Sequence, residues 1–247
     1  MTSKIGSVYD DGMSSPLSSF LPQAAIFDVD GTIVDNMDWH ARAFDAFVQR
    51  HGLPPMTLET RRQTDGKRNR EIFPLLFGRD LDPQELQAFE DEKEGAYREM
   101  SRAGLTPMTG FIRLLDRLDA ASIPVALATS APEANVEHTL REIGLADRLR
   151  VIARGDQVKR GKPAPDVFLF AASLLGVPPE DCLAFEDAPL GIMGARAAGM
   201  RCVAIASTFP AEALLATVPA PDAAYPDFDA YLNDAGRIFL EPDPRHE

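Results

Sequence analysis

The chain contains few cysteines and no long apolar run. Only two cysteines occur among its 247 residues, and Cys182 and Cys202 both lie in apolar surroundings. Two buried thiols do not make a disulfide scaffold and fit a reducing compartment, so we predict a cytoplasmic protein. No apolar stretch approaches the ~18–20 residues that a membrane span requires. The first 20 residues also lack the apolar segment of a secretory signal, and we predict a flexible leader there.

Positive charge is also scarce. The chain has 25 Lys and Arg against 38 Asp and Glu, which gives a net charge of −13. This charge disfavours nucleic acid and anionic membranes as partners, and nothing in the sequence implies a protein partner. If the ligand is itself an anion, a local feature such as a bound cation must offset this field. No G-x-G-x-x-G spacing occurs, so a dinucleotide fingerprint is excluded.

Strand and helix patterns alternate through most of the chain. Five apolar segments are predicted as strands, at residues 24–27, 125–128, 151–153, 183–185 and 202–205. Between the later strands we expect one helix to open with a capping box of Ser130 and Glu133. Another helix is expected to begin at Asp187 and to close at Gly199. The alternation predicts an α/β protein with a doubly wound, Rossmann-like parallel sheet.

Residues 38–103 break this alternation, because they contain helical patterns without a convincing strand. The clearest helix start has Asp82 as its cap, Pro83 at the first position and Glu85 completing a capping box. We therefore predict an inserted all-helical cap domain at residues 38–103. The Rossmann-like catalytic core is predicted at residues 21–37 and 104–247.

Polar residues follow the predicted strands at their carboxyl ends, where parallel α/β sheets bind ligands. These residues are Asp28 and Asp30, Thr129, Lys162 beyond the loop after the strand predicted at 151–153, and the pair Glu186-Asp187. Clustered carboxylates repel one another unless a cation or a proton separates them. Oxygen ligands suit Mg²⁺, and phosphoryl transfer depends mainly on positioning and charge stabilisation. The polar residues at this rim, the carboxyl edge of the predicted sheet, therefore indicate a magnesium-assisted phosphoryl-transfer site.

Each residue type at this rim has a possible role in that chemistry. Asp28 is a candidate nucleophile, as in enzymes that form an aspartyl phosphate. The turn at Gly31 aims Asp30 back toward the same site, where it can protonate the leaving oxygen and later deprotonate a water. Thr129 can donate to a phosphoryl oxygen, and Lys162 can neutralise developing charge.

Four segments resemble, in order, the four motifs of the haloacid dehalogenase superfamily. They are DVDGT (28–32), LATS (127–130), GKPAPD (161–166) and FEDAPLGI (185–192). The resemblance implies Asp28 as nucleophile, Asp30 as general acid and base, Thr129 as the phosphate-binding hydroxyl and Lys162 as the lysine of the third motif. It also implies Mg²⁺ held by the Asp28 carboxylate, the Asp30 backbone carbonyl, Glu186 and Asp187. An aspartate at the second position is typical of the phosphotransferases of this superfamily.

The helical insert resembles the small cap of sugar-phosphate phosphatases and β-phosphoglucomutases. His40 falls where the mutase has a histidine near its acid/base, although an ordinary packing or surface role is equally open. Lys93 and Tyr97 match a cap-helix pattern. The resemblance implies these substrate-binding residues: Gly31, Thr32, His40, Arg68, Asn69, Lys93 and Ser130. For Ser130, capping of the next helix is the alternative role.

Two departures from the mutase pattern favour a phosphatase over a mutase. The mutase binds a second phosphate with a Ser-Lys-Asn sequence. At the corresponding positions, residues 131–133, this chain has the sequence Ala-Pro-Glu. The place of the mutase arginine falls at Asn69, although Arg68 and Arg70 flank it. The glutamate argues for hydrolysis. We predict a phosphatase of small phosphorylated metabolites, with sugar phosphates as the expected substrates and a mutase as the alternative. A receiver-type phosphorylation switch is disfavoured, because its acidic pair would precede the phosphoacceptor.

The basic segment 61–70 stands out against the net charge of the chain. It contains five Lys and Arg residues in ten positions. Such a segment on the cap could attract anionic substrates, or it could be a solvated face. Both interpretations stay open at the level of sequence.

Overall fold

A computed structural model describes residues 20–234 of the chain. The predicted leader, residues 1–20, lies outside these described residues except for its last position. Six parallel strands form one sheet in the order β3-β2-β1-β4-β5-β6. The strands are β1 Ala24–Phe27, β2 Val125–Thr129, β3 Ile152–Arg154, β4 Cys182–Glu186, β5 Arg201–Ile205 and β6 Ala223–Tyr225. The five predicted strands are confirmed to within one residue at each end. The three residues of β6 follow a proline-rich loop and carry too short an apolar signal.

Ten α-helices surround and extend this sheet within the described residues. They are α1 Met37–Arg50, α2 Leu58–Thr64, α3 Asn69–Phe77, α4 Pro83–Met100, α5 Phe111–Ala120, α6 Glu133–Glu142, α7 Asp166–Leu175, α8 Pro189–Ala197, α9 Ala211–Leu215 and α10 Phe228–Asp234. Two apolar clusters cover the two faces of the sheet. One contains Phe111 and Phe228, and the other contains Phe168 and Ile192. The doubly wound, Rossmann-like fold class is confirmed.

Helices α1 to α4 lie in sequence between β1 and β2 and have an apolar cluster of their own. Its buried members are Phe44, Phe47, Val48, Met56, Ile72 and Phe73. Helix α4 opens with the predicted capping box, in which Asp82 accepts from the backbone of Glu85 at 3.0 Å and Pro83 takes the first position. The division into a core and a cap at residues 38–103 stays a prediction.

Two predicted helix starts are wrong. Helix α6 begins at Glu133 after Pro132, and the Ser130 hydroxyl instead donates to the backbone carbonyl of Gly66 at 2.7 Å. Helix α8 begins at Pro189 rather than at Asp187. The Asp187 carboxylate is used by side-chain hydroxyls, so it does not cap that helix.

Among the helices of residues 20–234, none is both long enough and apolar enough to cross a membrane.

Candidate active site

Asp28 and Lys162 form the centre of the candidate site. Asp28 follows the last residue of β1, and its backbone N–H donates to the carbonyl of Phe185 on β4 at 3.0 Å. Lys162 lies 134 residues away in sequence, and its Nζ reaches Asp28 Oδ1 at 2.5 Å. Both side chains are buried, with Asp28 7% and Lys162 3% exposed. Burial raises the pKa of Asp28 to about 7, and Lys162 limits that rise.

Glu186 is the second carboxylate that accepts a hydrogen bond from Lys162. Its Oε1 accepts from Lys162 Nζ at 2.6 Å, and its Oε2 accepts from the backbone N–H groups of Asp187 and Ala188 at 3.1 and 3.2 Å. A Cβ at Gly191 would lie 1.8 Å from Glu186 Oε1, so only glycine fits against this carboxylate. Glu186 therefore has protein donors on both oxygens and orients the lysine.

Two hydroxyls orient Asp187. Thr32 Oγ1 donates to Asp187 Oδ1 at 3.1 Å, and the hydroxyl of Thr208 donates to Oδ2. Gly31 has a φ of +78°, and a Cβ there would lie 2.2 Å from Asp187 Oδ2. The turn after β1 therefore needs glycine, both for its backbone conformation and for the close approach of Asp187.

The three carboxylates form a set that a divalent cation fits. One oxygen each from Asp28, Glu186 and Asp187 can be chosen so that all three lie within 4.8 Å of one another. Within residues 20–234, Lys162 supplies the one ammonium that contacts these carboxylates, so two negative charges lack a compensating positive charge when all three are ionised. Burial, followed by the charges of Glu186 and Asp28, raises the pKa of Asp187 well above its usual value. A buried, oxygen-only cluster with excess negative charge is chemically suited to a hard divalent ion.

Asp30 lies two residues beyond Asp28 and belongs to a different network. Asn36 Nδ2 donates to Asp30 Oδ1 at 2.6 Å, and His40 Nε2 lies 3.5 Å from the same oxygen. Burial by itself would raise the pKa of Asp30. The opposing effects of His40, Asn36 and Lys93 hold that pKa below its usual value. The resting Asp30 is therefore an ionised carboxylate, set as a proton acceptor.

Helix α4 supports this network from the helical segment. Lys93 Nζ lies 2.9 Å from His40 Nδ1 and donates to Glu94 Oε1 at 3.0 Å. The ring of Tyr97 stacks on that of His40 with centroids 3.8 Å apart. Glu94 also accepts from Asn135 on α6 at 2.6 Å. Polar contacts from α4 thus reach both the acid/base candidate and the core.

A cavity of about 740 Å³ opens over these groups, within the usual size range of small-molecule sites. The residues at the ends of β1, β2 and β4, helices α1 to α4 and the residues after β5 all contribute to its walls. The predicted residues that line it are Asp28, Asp30, His40, Asn69, Lys93, Thr129, Ser130, Lys162, Glu186 and Asp187. Side chains spread along the chain therefore meet at one cavity, as expected from the strand ends.

Three of the predicted substrate-binding residues do not line the cavity. Gly31 and Thr32 instead shape and hold Asp187, as described above. Arg68 points toward the core, where Nη1 donates to the carbonyl of Gly155 at 3.0 Å and Nη2 pairs with Glu71 at 2.6 Å. Substrate contacts by these three residues stay a prediction. At Arg68 the start of α3 decides the direction of the side chain, so that its neighbour Lys67 lines the cavity in its place.

Thr129 and Ser130 end β2 at the cavity wall. Thr129 is 1% exposed, and its Oγ1 accepts from the backbone of Ala131 at 3.0 Å, which leaves its own hydroxyl proton for another acceptor. Ser130 donates to Gly66 on the loop between α2 and α3. The Ser130 contact joins the core to the helical segment, and its role toward a substrate stays a prediction.

Several residues of the site were not found from the sequence. Asn36, Thr208, Glu94 and Asn135 all hold predicted site residues or line the cavity. Thr208 had a usable signal, because it follows the apolar strand β5 in the same way that the other site residues follow theirs. The remaining three lie on helices or at a helix start, where only tertiary packing selects them.

Comparison with known proteins gives a consistent result. A family model described as haloacid dehalogenase-like hydrolase matches residues 25–205. Protein CbbY of Rhodobacter capsulatus is 35% identical over 198 residues, which cover 76% of this chain and 86% of that protein. Hexitol phosphatase A of Escherichia coli (strain K12) is 33% identical over 193 residues, which cover 73% of this chain and 81% of that protein.

A solved structure extends the likeness to three dimensions. The crystal structure of a CbbY mutant from Rhodobacter sphaeroides, in complex with xylulose-(1,5)bisphosphate, has a TM-score of 0.76 and 26% identity to this chain. The match covers 89% of this chain and 100% of the CbbY chain. The likeness thus includes both the sheet and the helices between β1 and β2.

Proposed function

The chain belongs to the haloacid dehalogenase-like hydrolase family, and from this membership we propose that it is a magnesium-dependent phosphatase of small phosphomonoesters, most of all sugar phosphates. The observation that carries the proposal is the placement of Asp28, bonded to Lys162 at 2.5 Å, on the wall of one cavity with Asp30 and Asp187. The relatives support the substrate class, since one is named a hexitol phosphatase and another was crystallised with a sugar bisphosphate.

In the first step, Asp28 attacks phosphorus and the bond to the sugar oxygen breaks. Asp30 gives its proton to that leaving oxygen. Asp30 is ionised at rest, and it takes up this proton from solvent when a phosphate dianion brought beside it raises its proton affinity, because like charges disfavour ionisation. In the second step, Asp30 takes a proton from water, the water attacks phosphorus, and the bond to Asp28 breaks to release phosphate.

Lys162 and Thr129 assist both steps because their side chains face the place of the phosphoryl group. The ammonium of Lys162 stabilises negative charge on the phosphoryl oxygens, and the free hydroxyl proton of Thr129 can bond one of them. Asp28, Glu186 and Asp187 would hold Mg²⁺ together with the backbone carbonyl of Asp30, and Glu186 also orients Lys162. When bound, Mg²⁺ neutralises charge on the phosphoryl group and on the carboxylate cluster.

We further propose that the segment from α1 to α4 acts as the cap predicted from sequence. It contributes His40, Asn69 and Lys93 to the cavity wall, so it can exclude bulk water and recognise the non-phosphate part of a substrate.

The residues that follow β2 on the cavity wall favour hydrolysis over mutase activity. Ala131 and Pro132 line the cavity there, and neither offers a side-chain donor. The Glu133 side chain is 63% exposed and pairs with Arg154 at 3.0 Å, so it does not provide a second phosphate grip.

The proposal predicts phosphate release that depends on a divalent cation. Sugar phosphates are incubated with the protein, and free phosphate and isomerised sugar are both measured. We expect phosphate release with Mg²⁺, its loss in EDTA and its return when Mg²⁺ is restored. Mg²⁺ should also raise the melting temperature of the protein without substrate, because it binds only the folded cluster. Isomer formation without phosphate release would instead identify a mutase, and phosphate release unaffected by EDTA would contradict the cation requirement.

Lys67 is predicted to attract the substrate. It lines the cavity, and within residues 20–234 no carboxylate pairs with its ammonium, whereas Arg61 is held by Asp45 at 2.7 Å. Lys67→Ala should raise KM about fivefold and leave kcat nearly unchanged, as for the loss of ~1 kcal/mol of uniform binding. Steady-state kinetics on the best sugar phosphate measure this change. Arg70→Ala removes an exposed charge of the same segment and should leave KM unchanged; equal effects of the two variants would contradict a direct role for Lys67.

A further inference from the structure

Asn36 lies directly before α1, and its side chain makes hydrogen bonds that are unusual for a residue at a helix start. It is the N-cap residue of α1, yet it makes no side-chain capping hydrogen bond. Asparagine at this position normally accepts from the first turn of its helix. The amide is fully buried, at 0% exposure. Its hydrogen bonds therefore serve something other than the helix that it begins.

The hydrogen bonds define how the Asn36 amide is oriented. The backbone N–H of Gly31 donates to Asn36 Oδ1 at 3.1 Å. Both protons of Nδ2 are used, one toward Asp30 Oδ1 at 2.6 Å and the other toward the hydroxyl oxygen of Tyr97 at 2.7 Å. A flipped amide would set its oxygen against the Asp30 carboxylate and its NH₂ against the Gly31 N–H, so this orientation is the one that satisfies every partner.

Tyr97 is fixed in turn by the core. Because its oxygen accepts from Asn36, its own proton is free for the neighbouring hydroxyl of Thr139 on α6, which lies 3.3 Å away. The tyrosine is fully buried, and burial together with the Asp30 charge raises its pKa, so the phenol keeps its proton. Helix α4 thus reaches the acid/base candidate through Tyr97 and Asn36, in addition to the route through Lys93 and His40.

We propose that Tyr97 is a positioning residue for Asp30, acting through Asn36. The phenol, carried on α4, holds the amide that fixes Asp30 Oδ1. Asp30 is then correctly placed only when α4 is docked against the core, which couples the closed arrangement of the two parts to proton transfer. The inference rests on the proposed function, since it requires that Asp30 transfers protons in phosphate ester hydrolysis.

The dependence on leaving group separates this role from a merely structural one. A sugar oxygen needs a proton as it leaves, whereas 4-nitrophenolate leaves without one. Tyr97→Phe keeps the ring that stacks on His40 and removes only the hydroxyl. Phosphoenzyme formation is measured by rapid quench with a sugar phosphate and with 4-nitrophenyl phosphate. We expect the variant to slow the sugar phosphate reaction roughly tenfold, as for a modest misplacement of a reacting group, with little change for the nitrophenyl ester and little change in KM.

Asp30→Asn gives the scale of the full effect. It should lower the ratio of the sugar phosphate rate to the 4-nitrophenyl phosphate rate by about 10²-fold or more. The control variant Tyr225→Phe removes a hydroxyl that is bonded to Asp234 at 2.7 Å outside the cavity, and it should not alter this ratio. An unchanged ratio in Tyr97→Phe, or an equal loss on both substrates, would overturn the proposal. If Tyr97→Phe does not fold, Thr139→Val removes the acceptor of the phenol proton, and an unchanged ratio there would overturn it as well.

Failure of the proposed function is distinguishable from failure of this inference. If the wild-type protein releases no phosphate from any ester, the phosphatase assignment fails and the inference fails with it. If the wild type is active and Asp30→Asn shows the leaving-group effect while Tyr97→Phe does not, only the link through Tyr97 is wrong.

Discussion

Asp28→Asn should abolish phosphate release, with a loss of about 10⁴-fold or more, because the amide cannot form the phosphorylated intermediate. Among the described residues, the neighbouring carboxylates are held away from this role by their own hydrogen bonds. Asp30 is bonded to Asn36, and Asp187 to Thr32 and Thr208. Initial rates of phosphate release and trapping of a hydroxylamine-labile phosphoenzyme measure the two parts of this prediction.

Stability distinguishes a lost nucleophile from a lost fold in this variant. Burial and the charges of Glu186 and Asp30 raise the pKa of Asp28 to about 7, although Lys162 opposes them. A neutral amide therefore relieves repulsion as well as removing a partner of Lys162, and the melting temperature should change little. Asp80→Asn makes the same chemical change at an exposed aspartate outside the cavity and should keep full activity. Substantial turnover by a folded Asp28→Asn variant would refute the nucleophile assignment.

The sequence was sufficient to predict the residues that follow the strands. Apolar runs placed Asp28, Thr129, Glu186 and Asp187 at the carboxyl ends of β1, β2 and β4. Neighbouring parallel strands end at one edge, so these residues had to meet. The same rule would have found Thr208 after β5, had it been applied to every strand. Strand ends are predictable because the burial of a whole strand sets them.

Residues on helices and loops were harder to predict, because their direction depends on packing. Arg68 and Lys67 are adjacent and both basic, yet only Lys67 lines the cavity. The start of α3 turns Arg68 toward the carbonyl of Gly155, a contact across 87 residues of sequence. Asn36 has the residue type of a helix cap and the contacts of an active-site residue. Composition and spacing carry no signal for such choices.

The loss of Lys162 should lower both stability and activity. In its absence three buried carboxylates, on Asp28, Glu186 and Asp187, would share no cation within the described residues. Removing one partner of a buried ion pair typically costs ~3–5 kcal/mol. We expect Lys162→Met, which keeps the length of the side chain, to lower the free energy of unfolding by about 3 kcal/mol in EDTA. Phosphate release should fall about 10³-fold, since the charge that faces the phosphoryl oxygens is lost.

The response of this variant to Mg²⁺ tests the proposed metal site without relying on turnover. Removing the ammonium makes the carboxylate cluster more negative, so it should bind a divalent cation more tightly. Mg²⁺ should therefore raise the melting temperature of Lys162→Met by more than it raises that of the wild type, while activity stays low. Scanning calorimetry with EDTA and with Mg²⁺ measures both shifts. Lys159→Met, which removes an exposed charge three residues away, should behave as the wild type does. An equal shift in the Lys162 variant and the wild type would mean that Lys162 and the cation do not share these carboxylates.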